Sequence, residues 1–384
     1  MLNRRTMTHR HTILQVLPRL VSGGVERGTV EITDAIHKAG MKPLVASGGG
    51  AMIPHINYHG GEHFTLQLYE KNPYRIWKNA GKLAKLIKLK EVDLIHARSR
   101  APAWSAYLAA KRTKIPFVTS FHGIYGLESL FKKTYNSVMI KADRVIAVSR
   151  FVYDHILREY QIDPTKLRLI PRGLDASIFD PEKIIPDRII ALTKQWRLPD
   201  EAQKIIFVPG RISRIKGLDI VLEALVKLGD TSFICVMAGS DHGHEDYRKE
   251  LEQKIITMGL EGKVRLANNT QFMNEAYSLS DVVLIPSMKP ESFGRVSIEA
   301  QAMGKLVIAF DHGGVRETII NNETGYLIPV GNAEAMAETI RYALMRSDEM
   351  IHAMGLFARQ HIQQHFSLLS MKEKTIALYR ELLE

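Results

Sequence analysis

Apolar runs of four to eight residues recur along the chain, separated by longer stretches in which apolar positions return every third or fourth residue. The runs at 12–17, 42–46, 63–68, 93–96, 116–121 and 142–148 read as short buried strands. Those at 204–208, 231–238, 263–267, 281–285 and 306–310 read the same way. Between them, 26–39, 74–89, 218–228, 296–303, 334–345 and 368–383 have the periodicity of helices. Strands alternating with helices imply parallel sheets covered on both faces, an α/β fold. Pro43 is tolerable only near the start of its strand.

The most informative stretch is 281–310. A strand is followed by a loop with two prolines, Pro286 and Pro290, then by a helix closed by Gly304, and a second strand follows at once. Ligands of such βαβ units sit where the carboxyl end of the strand meets the amino end of the helix. Backbone N–H groups at Phe293, Gly294 and Arg295 are placed to receive a phosphate there. Glu291 and Glu299 cannot bind that anion. Either they are solvated acids favoured by the helix macrodipole, or they bind hydroxyls, Glu299 those of a ribose and Glu291 those of a sugar beyond the phosphate.

The run Glu291-Ser-Phe-Gly-x-Val-x-x-Glu299-Ala-x-Ala-x-Gly304 resembles the donor-site motif of retaining, nucleotide-sugar-dependent glycosyltransferases of family 4, which have the GT-B fold. Further motifs match in order over almost the whole chain. Gly210-Arg211-x-x-x-x-Lys216-Gly217 directly after a strand resembles the family's diphosphate-binding motif, and Arg214 is an additional cation whose role is open. Segment 168–179 resembles the family's Ile-Pro-Asn-Gly-Val-Asp-x-x-x-Phe, with Arg172 in place of the asparagine. His122, followed by Gly123 just past a strand end, matches a Ser/Thr-x-His-Gly/Asp pattern.

The resemblance implies two Rossmann-like domains facing a cleft, with the last helix crossing back to the first. The expected division is 1–182 together with about 366–384 as the acceptor side, 183–203 as a linker rich in proline and charge, and 204–365 as the donor domain. It also implies roles. His122, Arg211, Lys216 and Glu291 are the catalytic candidates. Gly24, Arg211, Lys216, Phe293, Gly294, Arg295 and Glu299 are the donor-binding ones, and Gly23, Ser149, Arg172 and Gly314 are further candidates. Residue by residue, plainer readings stand beside these: Gly23-Gly24 as a turn, Ser149 as a helix N-cap, His122 as a core or loop histidine, and Arg211 and Lys216 as surface cations. With cations supplied by side chains, no metal or other cofactor is expected. Asp241, His242 and His244 lie in a loop without the further ligand cluster of a metal site.

Composition adds a partner and a location. One cysteine, Cys235, lies within an apolar run, so no disulfide framework exists and a reducing cytoplasm is the expected compartment. No apolar stretch approaches a membrane span. The basic start, 1–11, lacks the apolar core of a signal peptide and reads as a lead-in to the first strand. The net charge of +11 is uneven: residues 71–144 hold 16 Lys or Arg against four acids, with Lys78, Lys82, Lys85 and Lys88 along one helix face. Such a field attracts phosphates on a membrane, a lipid carrier or a nucleic acid, and it raises the expectation of peripheral contact with the inner face of an anionic membrane. The function expected is sugar transfer from a nucleoside-diphosphate sugar to a hydroxyl of an envelope glycolipid or lipopolysaccharide core. The competitors are a GT-B phosphorylase or epimerase, a basic nucleic-acid-binding protein, and a non-catalytic sugar-nucleotide-binding protein. No nucleic-acid recognition motif occurs to favour the second.

Overall fold

The structure is a computed structural model that describes residues 10–21, 23–126, 129–199 and 203–384. The lead-in at 1–9 lies outside the described residues. Two compact units divide the chain, 1–171 with 369–384 and 172–368.

The first unit is built on a seven-stranded parallel sheet. Its strands are β1 (Thr12–Val16), β2 (Lys42–Ser47), β3 (Glu62–Thr65), β4 (Leu94–Ala97), β5 (Phe117–Phe121), β6 (Arg144–Ala147) and β7 (Leu167–Leu169), in the order β3-β2-β1-β4-β5-β6-β7. β1 and β5 are buried at every position, as a sheet covered on both faces requires. The final helix, Leu368–Leu383, packs on this unit through buried polar contacts. Tyr379 Oη lies 2.6 Å from His96 Nδ1, and Lys372 donates to Asp34 at 2.6 Å.

The second unit carries six parallel strands: β8 (Lys204–Pro209), β9 (Phe233–Ala238), β10 (Val264–Ala267), β11 (Val282–Ile285), β12 (Leu306–Phe310) and β13 (Tyr326–Ile328). They run in the order β10-β9-β8-β11-β12-β13. Cys235 is fully buried in β9, and burial pushes its thiol pKa up, so it is an inert core residue. The described part of the expected linker, residues 183–199, belongs to this unit. It holds the helix Pro186–Gln195, started by its proline at the first turn, and Leu192 and Trp196 are buried in this unit's core. A further helix, Asp348–His365, follows the helix Ala333–Leu344. It lies so close to the turn after the helix Arg295–Ala302 that a Cβ at Gly355 would stand 2.4 Å from the Gly304 carbonyl oxygen.

In both sheets the connections reverse direction once. β1 lies beside β4 in the first and β8 beside β11 in the second, and the chain leaves each pair toward opposite edges. Loops diverging from the carboxyl ends of such a pair leave a crevice between them.

Candidate functional site

In the second unit the two diverging loops are 210–217 after β8 and 286–294 after β11. They are tied by a hydrogen bond from Met288 N–H to the Ile215 carbonyl at 2.8 Å. Gly217 permits the approach. Its φ is 66°, and a Cβ there would fall 2.0 Å from the Pro286 carbonyl oxygen.

This junction brings Lys216 and Glu291 together. The Lys216 ammonium contacts Glu291 Oε1 and lies 3.3 Å from Ser287 Oγ, and Ser287 Oγ donates to the same carboxylate oxygen at 2.7 Å. Both ends of the pair are mostly shielded, with 23% of the lysine and 18% of the glutamate side chain exposed. Burial opposes ionisation of Glu291, but Lys216, the Ser287 hydroxyl and His312 outweigh it and hold its pKa below the ordinary glutamate value. His312 Nε2 lies 2.7 Å from the Ser287 carbonyl oxygen, which can only accept, so that nitrogen carries a proton. The loop after β12 is thereby fastened to the loop after β11. A second tie is the Gly314 N–H, which donates to the Glu291 carbonyl at 2.7 Å. A Cβ at Gly314 would lie 2.4 Å from Phe293 Cα.

The helix Arg295–Ala302 starts at this junction, with Gly294 as its N-cap in the left-handed region at φ 93°. The Phe293 ring is buried and packs edge-on against Phe366, so what this residue can offer a ligand is its backbone. Glu299, buried in the first turns of the helix, accepts from Arg295 Nη2 at 2.7 Å and from Tyr277 Oη at 3.0 Å. These two donors orient the carboxylate. Arg211 begins the loop after β8 and is exposed, with no side-chain ion pair among the described residues. Arg214 is drawn away from the junction by Glu250, with its guanidinium over the Tyr247 ring at 4.8 Å.

Of the sequence candidates, the structure therefore gathers Lys216, Glu291, Phe293, Gly294, Arg295, Glu299 and Gly314 on one end of the second sheet, with Arg211 at the start of the neighbouring loop. Arg172, largely buried, belongs to the same unit. Gly23, Gly24, His122 and Ser149 belong to the first unit. Gly23 caps the helix Gly24–Lys38, and His122 directly follows β5. Ser149 Oγ accepts from Val152 N–H at 3.0 Å and so caps the helix Arg150–Glu159. Three polar residues of the second unit's site were not singled out by sequence reasoning: Ser287, His312 and Tyr277. Ser287 lies within the stretch 281–310 and His312 two residues before the candidate Gly314, whereas Tyr277 carries no local signal. Among the described residues no group of three or more His, Cys, Asp or Glu side chains is placed to hold a metal ion. Arg248 pairs with Asp241 in the histidine-bearing loop.

Two family models match the chain, "Glycosyltransferase Family 4" over residues 22–178 and "Glycosyl transferases group 1" over residues 191–361. A crystal structure of a glycosyltransferase from Rickettsia africae ESF-5 is 39% identical, with a TM-score of 0.90 over 98% of this chain and 99% of that one. Anabaena HepE, solved in complex with UDP and glucose, shares the fold at 23% identity, with a TM-score of 0.83 over 96% of this chain and 99% of its own. The D-inositol 3-phosphate glycosyltransferase of Xylanimonas cellulosilytica is 27% identical over 273 residues, 67% of this chain. The match spans 64% of that relative's length, less than two thirds.

Proposed function

This chain belongs to the glycosyltransferases of the GT-B fold, and from that premise we propose that it moves a sugar from a nucleoside-diphosphate sugar to an acceptor hydroxyl with retention of anomeric configuration. The observation that carries the reading is the junction of Lys216, Glu291 and Ser287 beside the start of the helix Arg295–Ala302. It offers a cation and a helix amino end for a diphosphate, with carboxylates on either side for hydroxyls.

In this reading the bond from the anomeric carbon to the diphosphate oxygen breaks first, and charge builds on the leaving group. Arg211 and Lys216 stabilise that charge together with the helix dipole. Lys216 exchanges part of its contact with Glu291 for the diphosphate, and Glu291 turns its second oxygen to the sugar. The acceptor oxygen bonds to the anomeric carbon on the face the diphosphate leaves, and its proton passes to a diphosphate oxygen. Glu299, held by Arg295 and Tyr277, binds the ribose. His122 is assigned to the sugar by its sequence motif alone.

The acceptor in this reading is an anionic envelope glycolipid, such as a lipopolysaccharide core, because the positive charge is concentrated on the first unit. UDP-glucose is the first donor to try, since HepE was solved with UDP and glucose. The test is a screen of nucleoside-diphosphate sugars for release of the nucleotide, followed by NMR of the product's anomeric proton. Retained configuration with one donor supports the proposal. Inverted configuration, or no turnover with any donor, removes it.

A further inference from the structure

The helix Pro73–Leu89 carries Arg75, Lys78, Lys82, Lys85 and Lys88 and no acidic residue. Its inner face, including Ile76, Ala80, Leu83 and Ile87, is buried in the first unit's core, so the cations are confined to the outer face. Among the described residues Lys78, Lys82, Lys85 and Lys88 have no carboxylate partner. On the second unit Lys227 and Lys254 pair with Glu334 and Asp219. Like charges three and four residues apart weaken a helix, so this face costs stability and gains nothing from within the fold.

Three large apolar side chains stand on the same outer face: Tyr74 is 65% exposed, Trp77 59% and Leu89 77%. Arg112, at the end of the neighbouring helix Arg100–Thr113, places its guanidinium 5.7 Å from the Trp77 ring centre and adds a cation to the patch. The charge belongs to this half of the molecule. The first unit holds 30 Lys and Arg against 15 Asp and Glu, and the second 22 against 26.

We propose that the outer face of the helix Pro73–Leu89 docks the protein on an anionic lipid bilayer, its lysines against the headgroups and Trp77 and Tyr74 at headgroup level. The inference rests on the reading of the acceptor as an anionic glycolipid, and it brings the first unit to the membrane that carries it. Because the helix's apolar face is already used by the core, the helix cannot turn over and insert. The attachment is therefore electrostatic, reversible and sensitive to salt. A lipid surface is favoured over a nucleic acid because the exposed rings cluster at the start of the helix, with no stacking platform along the lysines.

The test is sedimentation of the full chain with phosphatidylcholine vesicles, with or without phosphatidylglycerol. It is run at low salt and at about 1 M salt, where the screening length falls to about 3 Å. Binding is expected only with phosphatidylglycerol and only at low salt. Each cation near an anionic surface is worth about fivefold in partition, so K78Q/K82Q/K85Q is expected to weaken binding about a hundredfold, with W77A weakening it further. Neither variant should alter turnover of a soluble donor. Absence of binding to anionic vesicles at low salt overturns the proposal, and so does a triple variant that binds like the native chain. Tighter binding to a single-stranded RNA oligonucleotide than to the vesicles also overturns it. Salt-sensitive vesicle binding without turnover of any donor would support the docking surface and remove only the transfer reaction.

Discussion

Replacing Lys216 by alanine separates two things its ammonium does at the junction. In the structure it is the counter-ion of Glu291, whose side chain is only 18% exposed and whose remaining hydrogen-bond donor in the pair's vicinity is the Ser287 hydroxyl. In the proposed reaction it also stabilises charge on the departing diphosphate. Loss of one preorganised donor to developing charge costs about 2.7–4 kcal/mol, roughly a hundredfold or more in turnover. Loss of the counter-ion leaves a shielded carboxylate poorly compensated, at a cost of about 1–3 kcal/mol in stability. Burial is the largest influence on Glu291 and raises its pKa, and Lys216 is the largest that lowers it. In K216A the glutamate pKa should therefore rise above its native-enzyme position. An acidic limb in the pH–rate profile that depends on ionised Glu291 would move upward with it. The variant K216A/E291Q removes the stranded charge and is expected to recover most of the lost stability while remaining slow. The assays are nucleotide release under saturating donor and thermal denaturation of the same preparations. Turnover of K216A within threefold of native, or a rate restored by E291Q, would refute the assignment of Lys216 to the leaving group.

Other expectations follow from polar contacts that the structure places away from bulk water. Y277F removes one donor to Glu299. A hydrogen bond to a charged group is worth about 1.5–3 kcal/mol, so donor affinity in calorimetry should fall about tenfold or more while the far-ultraviolet circular dichroism is unchanged. D34N should cost about 1.5–3 kcal/mol of first-unit stability at neutral pH, because Asp34, 9% exposed, accepts from Lys372 of the final helix and lies beside Lys38. Burial works against the ionised form of Asp34, yet the two lysines prevail and depress its pKa. Its contribution is therefore complete above about pH 4 and is lost as pH falls through the lower folded value. The gap between native and D34N in urea denaturation should close in that range. His96 is fully buried, and burial, with Arg98 adding to it, depresses its pKa well below the usual imidazole value. Its neutral form thus stabilises the fold above about pH 6.5, and that stability declines with falling pH by about 1.4 kcal/mol per unit until the folded pKa is reached. H96Q should lack this increment of pH slope.

Most strands and the central βαβ unit are legible in the sequence because parallel strands covered on both faces must be continuous apolar runs, as β9, β11 and β12 are, whereas β7 and β13, three residues each, are too short to stand out. Glu291, Glu299 and Lys216 stand out because each lies just past such a run at a motif spacing. Their partners do not. Lys216 meets Glu291 across 75 residues and Tyr277 meets Glu299 across 22, distances set by strand order and not by local pattern. The helix Asp348–His365 escapes notice for a related reason. Its buried positions include Gly355, Ala358 and Ile362, so close backbone approach replaces the broad apolar stripe that periodicity detects. Residues 183–203 look like a connection because Pro186, Pro199 and several charges interrupt their apolar positions. Two of those, Leu192 and Trp196, are nonetheless among the most deeply buried side chains of the second unit.

The most direct test of a diphosphate site at the β8/β11 junction is titration calorimetry of the native chain and K216A with a panel of nucleoside diphosphates, UDP first. One of them is expected to bind the native chain in the micromolar range, with K216A weakening it at least tenfold, about 1.4 kcal/mol. If no nucleoside diphosphate binds, or if K216A binds it as tightly as the native protein, the diphosphate is not held by Lys216 and the account is contradicted.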